Sequence, residues 1–174
     1  AERVVDFSSQ LSEYEYSASQ VLGKPNAMPQ GGDSPTAWLP SRPNRMEYIH
    51  VTFARPINVE QIVLAESYNP SALYQIYLMD RQGTEHLVHT FEPKPIDVRG
   101  RVLNIYIEKT PYRVHGLRLV LDGKTVPGYS GVDAIGISPS KEPVVVEIDL
   151  AENLQEFIVT EKLSDAINSP YSET

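Results

Sequence analysis

The chain contains no cysteine among its 174 residues. Disulfide bonds, thiolate metal ligands and a cysteine nucleophile are therefore all excluded. The chain also lacks any apolar run near the roughly 20 residues that a membrane-spanning helix needs, so we expect no membrane insertion. It begins with Ala1 rather than methionine, as processed proteins do, and this is consistent with export.

Common catalytic motifs are missing as well. The sequence has no glycine-rich phosphate loop, no Gly-x-Ser-x-Gly elbow and no His-Glu-x-x-His pair. Its four histidines are scattered. His86 and His89 lie three residues apart in one predicted strand, so we expect them on opposite faces of the sheet and not in a shared metal site. The sequence therefore predicts a protein that is not an enzyme.

Positive charge is scarce and unevenly placed. The 15 Lys and Arg residues against 23 Asp and Glu residues give a formal net charge of −8. This leaves no basic field for a phosphate backbone, and we expect no nucleic-acid partner. Residues 1–141 hold 14 basic and 15 acidic residues, whereas residues 142–174 hold one lysine and eight acidic residues. The shift predicts a domain over 1–141 and an acidic linker over 142–174 that leads to a following domain.

Short apolar segments alternate with turn residues over most of the chain. In Glu47–Phe53 the residues Ile49, Val51 and Phe53 occupy every second position, which is the pattern of a half-buried strand. Gly- and Pro-containing turns separate eight such segments, and no convincing helix precedes residue 141. This organisation predicts an all-β sandwich or barrel. The predicted strands are Val4–Phe7, Glu47–Phe53, Val59–Ala65, Leu73–Met79, His86–Phe91, Arg101–Ile107, Val114–Leu121 and Val132–Ile137.

The longest stretch without a regular pattern is Ser17–Trp38. Its glycines and prolines are incompatible with a helix or a strand, and its apolar end at Trp38, the single tryptophan, predicts a buried anchor. Asp33 and Thr36 place a carboxylate and a hydroxyl beside glycines, whose backbone carbonyls can turn inward as Ca²⁺ requires. We therefore predict a calcium site at Asp33 and Thr36. The alternative is an ordered surface loop held by Asx and Ser/Thr turns.

Two further carboxylates stand at apolar strands. Asp133 interrupts the last predicted strand, where an isolated buried charge is costly unless a cation or hydrogen-bond donors compensate it. Asp133 is therefore either a third metal ligand or a cap on the backbone N–H groups of the long loop. Glu66 ends another strand, and we expect it to hold the turn Tyr68–Ala72 in place.

Tyrosines concentrate at the predicted turns. Asn69 follows Tyr68, and Arg113 follows Tyr112, so an aromatic face lies next to hydrogen-bonding groups. Together with Tyr129, these residues form the predicted ligand site, in which the rings stack on a hydroxylated sugar ring and the polar groups bind its hydroxyls. The prediction requires that the turns meet at one end of the fold. The alternative is ordinary packing of tyrosines at strand ends.

Six short motifs follow one another in a recognisable order. They are Ser17–Asn26, Gly32–Trp38, Glu66–Pro70, Thr110–Tyr112, Val126–Tyr129 and Val132–Ile135. Over residues 4–138 the chain resembles the discoidin-like, galactose-binding-like domain found at the amino terminus of bacterial cell-envelope proteins with a TolB-like propeller and an OmpA-type domain. The chain departs from that pattern at Ser71, where glycine is common, and at Tyr129, where tryptophan is common.

The resemblance implies a jelly-roll β-sandwich of about eight antiparallel strands with a structural calcium and a binding site at the strand ends. Asp33 and Thr36 match calcium-ligand positions, whereas Asp133 lies one position from the acid of many sugar-binding relatives. The resemblance also implies an exported protein of the periplasm, the outer membrane or the cell surface, with neighbouring domains of the parent protein as further partners. We expect a non-catalytic module that binds a glycan or a cell-surface ligand. The alternative is a protein–protein or interdomain docking module without a sugar ligand.

Overall fold

The computed structural model describes residues 1–144 and the backbone of residues 158–162. Within these ranges nine strands form two sheets. The strands are β1 Arg3–Phe7, β2 Met46–Ile57, β3 Gln61–Tyr68, β4 Leu73–Asp80, β5 Glu85–Thr90, β6 Arg101–Tyr106, β7 Val114–Asp122, β8 Gly131–Ser138 and β9 Ile158–Lys162. The first sheet has the order β1-β2-β7-β4-β5 and the second has the order β8-β3-β6-β9.

All pairings among β1 to β8 are antiparallel. The predicted all-β jelly-roll sandwich of about eight antiparallel strands is therefore confirmed. One strand adds to it, because β9 pairs in parallel with β6 inside the range assigned to the linker. The boundary after residue 141 stays a prediction, and residues 145–157 and 163–174 of the predicted linker lie outside the described residues. No helix in the described ranges is long and apolar enough to cross a membrane.

The apolar positions of the strands meet between the two sheets. Ile49 and Val51 are fully buried and Phe53 is nearly so, which confirms the alternation predicted for β2. Burial of such side chains is the main favourable term in folding, at about 1.5–3 kcal/mol for each large aliphatic residue. Other fully buried members of this core are Ile62, Leu64, Ile76, Leu78, Leu103, Ile105, Leu117 and Leu119.

The second sheet is buried on its outer face as well. Val63, Ala65, Val102 and Ala134 form a separate apolar cluster there, and Met28 from the long loop packs onto it. Strands β3 and β6 are therefore buried at nearly every position rather than at every second one. This explains why apolar residues occupy consecutive positions in these strands, because a strand covered on both faces has no polar face to expose.

The loops alternate between the two ends of the sandwich. Consecutive strands from β2 to β8 run in opposite directions, so each loop lies at the end opposite to the loop before it. The β3–β4, β5–β6 and β7–β8 loops share one end, where Tyr68 pairs with Gly131. The β2–β3, β4–β5 and β6–β7 loops share the other end, where Asp80 pairs with Val114. We call these the Tyr68 end and the Tyr112 end.

A β-bulge in β5 changes the predicted position of two histidines. His86 pairs with Leu78 and His89 pairs with Ile76, and the register shifts between these two pairs. Both partners are buried core residues, and paired residues share one face of a sheet. The two imidazoles therefore lie on the same face, and the prediction of opposite faces is wrong. The extra residue at Val88 resets the alternation of side chains.

Candidate binding site

Trp38 fixes the end of the long loop to the sandwich. Its side chain is fully buried, and its indole Nε1 donates a hydrogen bond of 2.9 Å to the carbonyl oxygen of Ser9. Its backbone exchanges two hydrogen bonds, of 2.8 and 2.9 Å, with Val132 in β8. A short 3₁₀ turn, Ala18–Val21, interrupts the otherwise irregular loop and also packs into the core. The predicted buried anchor is confirmed.

Asp133 holds the middle of the same loop. Its buried carboxylate accepts hydrogen bonds from the backbone N–H groups of Asn26, Ala27 and Met28, at 3.0–3.2 Å. Burial raises the pKa of the Asp133 carboxyl, and the three amide donors oppose that shift. Both oxygens face amide hydrogens that a cation has to displace, so this geometry does not fit a metal ligand. It matches the alternative considered from the sequence, a cap on the loop.

Asp33 and Thr36 have separate partners near the end of the loop. The exposed Asp33 carboxylate accepts a hydrogen bond from the hydroxyl of Tyr16, which raises the pKa of that tyrosine. Thr36 Oγ1 and Ser34 Oγ share a hydrogen bond of 2.9 Å. The structure thus does not join Asp33, Thr36 and Asp133 into one ligand set. Within the described residues no group of three or more His, Asp or Glu side chains is arranged to hold a metal ion.

A cavity of about 410 Å³ opens at the Tyr68 end. We call it the end pocket. Its lining includes two tyrosines and one arginine and is drawn from the β1–β2, β3–β4, β5–β6 and β7–β8 connections. Its lining residues are Gly32, Tyr68, Asn69, Val98, Arg99, Pro127, Gly128 and Tyr129.

Asn69 shapes the end pocket by binding a neighbouring loop. Its side-chain amide nitrogen donates to the carbonyl oxygens of Pro127 and Tyr129, both at 3.0 Å. Gly128, between these two acceptors, has a φ of 98°, a conformation that favours glycine. The two N–H groups of Asn69 are thereby used within the protein, and they fix Tyr129 relative to Tyr68.

Glu66 fixes the turn that carries Tyr68 and Asn69. One of its oxygens accepts a hydrogen bond of 3.1 Å from the N–H of Ser71, and the other pairs with the guanidinium of Arg101. Both side chains of the ion pair are buried. Ser71 occupies the left-handed region with a φ of 81°, a conformation that favours glycine. The expected role of Glu66 is confirmed.

Arg99 is the charged residue in the lining of the end pocket, and it was not predicted from the sequence. It lies in the β5–β6 loop, and its Nη2 is 3.3 Å from the carbonyl oxygen of Gly31, to which it donates. Gly31 and Gly32 both have a positive φ, of 65° and 87°. In the sequence, Arg99 stands out only by its position directly before Gly100 and the predicted strand Arg101–Ile107.

Tyr112 and Arg113 lie at the opposite end of the sandwich. They precede β7, whereas the loop that carries Tyr129 follows it. The nine residues of β7, at about 3.3 Å each, place the two ends roughly 26 Å apart. Tyr112 instead stacks on His86, with 3.8 Å between ring centroids, and burial raises the pKa of its hydroxyl. The prediction of one shared site is wrong, because only Tyr68, Asn69 and Tyr129 converge.

A second cavity, of about 300 Å³, lies against the outer face of the second sheet. Its walls include Val63, Ala65, Ala134 and Ile137, and none of the described residues that line it is aromatic. Aromatic faces and convergent polar groups are the features that orient a polar ligand. The end pocket is therefore the better candidate for a sugar site.

The fold is shared with solved carbohydrate-binding modules. The family 32 carbohydrate-binding module from Streptococcus pneumoniae EndoD matches with a TM-score of 0.57 and 12% identity, over 79% of this chain and 95% of that one. A chitosan-binding module of a chitosanase/glucanase from Paenibacillus sp. IK-5 matches with a TM-score of 0.55 and 17% identity, over 79% and 94%.

The same fold also occurs in a protein complex. A structure of reduced XRCC1 bound to the DNA polymerase β catalytic domain matches with a TM-score of 0.60 and 9% identity, over 80% of this chain and 96% of that one. No protein-family model and no curated protein sequence matches the chain. At these identities the likeness shows the jelly-roll fold, and the ligand has to be argued from the site.

Proposed function

We propose that this protein is a non-catalytic carbohydrate-binding module whose ligand occupies the end pocket. The observation that carries the proposal is the convergence of Tyr68 and Tyr129, from two loops that Asn69 ties together. The binding modules of the EndoD protein and the chitosanase/glucanase support it, because they share the fold. An exported location in the periplasm, at the outer membrane or at the cell surface is part of the proposal and rests on the sequence resemblance.

The end pocket suits recognition and not bond cleavage. A tyrosine offers a flat apolar face for the C–H side of a sugar ring and a hydroxyl for its polar edge. Glycoside hydrolysis generally uses two carboxylates on either side of the scissile bond. The described lining of the end pocket holds no Asp or Glu, so the proposal assigns it a binding role.

Truncation of the pocket tyrosines tests this proposal. We expect Tyr68→Ala and Tyr129→Ala each to weaken glycan binding about tenfold, since a lost stacking contact is worth roughly 1 kcal/mol beyond the lost buried area. The measurement is a glycan-array screen followed by titration calorimetry on the best ligand. Tyr112→Ala is the matched control, because it removes a tyrosine from the opposite end. Equal losses for all three variants, or no loss for the first two, contradict the proposed site.

A docking module without a sugar ligand is the second candidate. The complex of XRCC1 with the polymerase domain favours it, because it contains the same fold in a protein assembly. The partner here is a neighbouring domain of the parent protein. Binding of that domain together with failure of every glycan on the array favours docking over carbohydrate recognition.

We further propose a structural calcium ion at Asp33 and Thr36. Support comes from the exposed carboxylate, the adjacent hydroxyls and the paired glycines of the loop. A ligand that binds only the folded state at a hundredfold excess over its Kd stabilises that state by about 2.7 kcal/mol. Chelation is therefore expected to lower the melting temperature, and Asp33→Asn to abolish that response. Glu13→Gln, at an exposed acid shortly before the long loop, is the control. A melting temperature that chelation leaves unchanged contradicts the calcium site.

A further inference from the structure

Among the described residues, Arg99 is the only charged one that lines the end pocket. Its hydrogen bond to the carbonyl oxygen of Gly31 is long, at 3.3 Å. No carboxylate among residues 1–144 forms an ion pair with it; the ion pairs there involve His86, Arg101 and Arg118. A guanidinium has five N–H donors, so most of those on Arg99 remain directed at solvent or at a ligand.

Close packing of glycines holds Arg99 over the pocket. A Cβ atom added to Gly32 would lie 2.9 Å from Nη2 of Arg99, so the guanidinium lies directly against the loop at this glycine. A Cβ on Gly31 would lie 3.3 Å from the backbone carbonyl of Arg99. One on Gly100 would lie 2.8 Å from the carbonyl oxygen of Glu66. The carbonyl of Arg99 and the backbone of Gly100 are therefore packed tightly against neighbouring chain segments, which fixes the backbone from which the Arg99 side chain extends.

A guanidinium beside two tyrosines suits a ligand that carries a carboxylate. Its planar fork matches the two oxygens of a carboxylate, and such charge-assisted pairs are about twice as strong as neutral hydrogen bonds. One cation matches one carboxylate on a sugar ring. We infer that the end pocket selects saccharides that carry a carboxylate, namely uronic acids, with Arg99 as the residue that determines specificity. This inference rests on the proposed function of the same pocket.

The test compares sugars that differ only in the carboxylate. Oligomers of galacturonate, glucuronate and mannuronate are titrated against the full chain, each beside its carboxyl-reduced, neutral counterpart. We expect at least one uronate oligomer to bind about tenfold or more tightly than its reduced form, as one charge-assisted contact is worth. Arg99→Gln is expected to remove that preference, and Arg99→Lys to retain only part of it because lysine lacks the fork.

Arg113→Gln is the matched control for charge. It removes the same charge from an exposed position at the Tyr112 end, and it is expected to keep the preference. Circular dichroism and melting temperature show that the Arg99 variants are folded. Equal losses for Arg99→Gln and Arg113→Gln mean general charge attraction and overturn the inference.

The remaining outcomes separate the inference from the proposed function. Equal binding of uronate and reduced oligomers, or binding of neutral glycans alone, overturns the inference and leaves the carbohydrate-binding proposal standing. Binding to phosphatidylserine vesicles without binding to any uronate overturns it in favour of a lipid headgroup. Failure of every glycan on the array overturns both.

Discussion

Replacing Trp38 with alanine is expected to lower the free energy of unfolding by about 3–5 kcal/mol, the usual loss for a large aromatic side chain removed from a core. Trp38 is fully buried, and its indole N–H satisfies the carbonyl of Ser9. The substitution therefore opens a cavity and leaves that carbonyl without its partner. It also loosens the backbone pairing with Val132 that ties the long loop to β8. Urea unfolding followed by circular dichroism measures the effect.

Two further variants are compared with Trp38→Ala in the same measurement. Trp38→Phe keeps a ring in the cavity but removes the indole N–H, so its loss is expected to be smaller than that of the alanine variant. Tyr14→Ala removes an aromatic residue that is 81% exposed and lies shortly before the long loop, and it is expected to change the stability by less than about 0.5 kcal/mol. Comparable losses for Trp38→Ala and Tyr14→Ala are incompatible with Trp38 as the anchor.

The period-2 pattern located β2, and its failure at the end of that strand has a local cause. In β2 the alternation of Ile49 and Val51 located the strand, but the predicted strand ended at Phe53, before Arg55 and Pro56. The strand continues to Ile57 because its pairing with β7 is irregular between Thr52 and Ile57. A proline at such a position interrupts no regular ladder, since the missing N–H is not required there.

The order of the strands along the chain determines which loops share an end of the sandwich, and this distinguishes the end pocket from the site predicted from the sequence. Tyr68 ends β3, next to the β3–β4 loop, and Tyr129 lies in the β7–β8 loop, four loops later, so both lie at the same end. Tyr112 lies in the β6–β7 loop, three loops after that of Tyr68, and an odd number of antiparallel strands places it at the other end. Counting strands was therefore enough to exclude Tyr112 and Arg113 from a shared site with Tyr68.

Other features depend on contacts that no local pattern reveals. Asp133 accepts hydrogen bonds from Ala27, 106 residues away in the sequence. From the chain alone, a metal ligand and a cap on the loop both fitted this buried acid, and only the packed loop distinguishes them. Arg99 enters the end pocket because Gly31 and Gly32 pack against it, which is again a contact between distant segments.

The second large effect is expected at the buried pair of Glu66 and Arg101. Removing one partner leaves the other charge buried and uncompensated, and such changes cost about 3–5 kcal/mol. Arg101→Met is therefore expected to destabilise the domain by that amount in urea unfolding. The double variant Glu66→Gln with Arg101→Met is expected to recover part of the loss, because the stranded carboxylate is then neutral. An exposed pair provides the control: Arg118→Met, which breaks the partly exposed pair with Glu85, is expected to cost about 1 kcal/mol or less.

The pair of Glu66 and Arg101 also lies next to two of the loops that line the end pocket. Glu66 also accepts the N–H of Ser71, and its backbone carbonyl packs against Gly100, directly after Arg99. We therefore expect Arg101→Met to weaken glycan binding even at temperatures where the domain stays folded, since both the turn with Tyr68 and the loop with Arg99 lose their support. Arg118→Met lies outside these contacts and is expected to leave the affinity unchanged. If Arg101→Met costs no more stability than Arg118→Met, the buried pair does not support the end pocket in the way that the structure indicates.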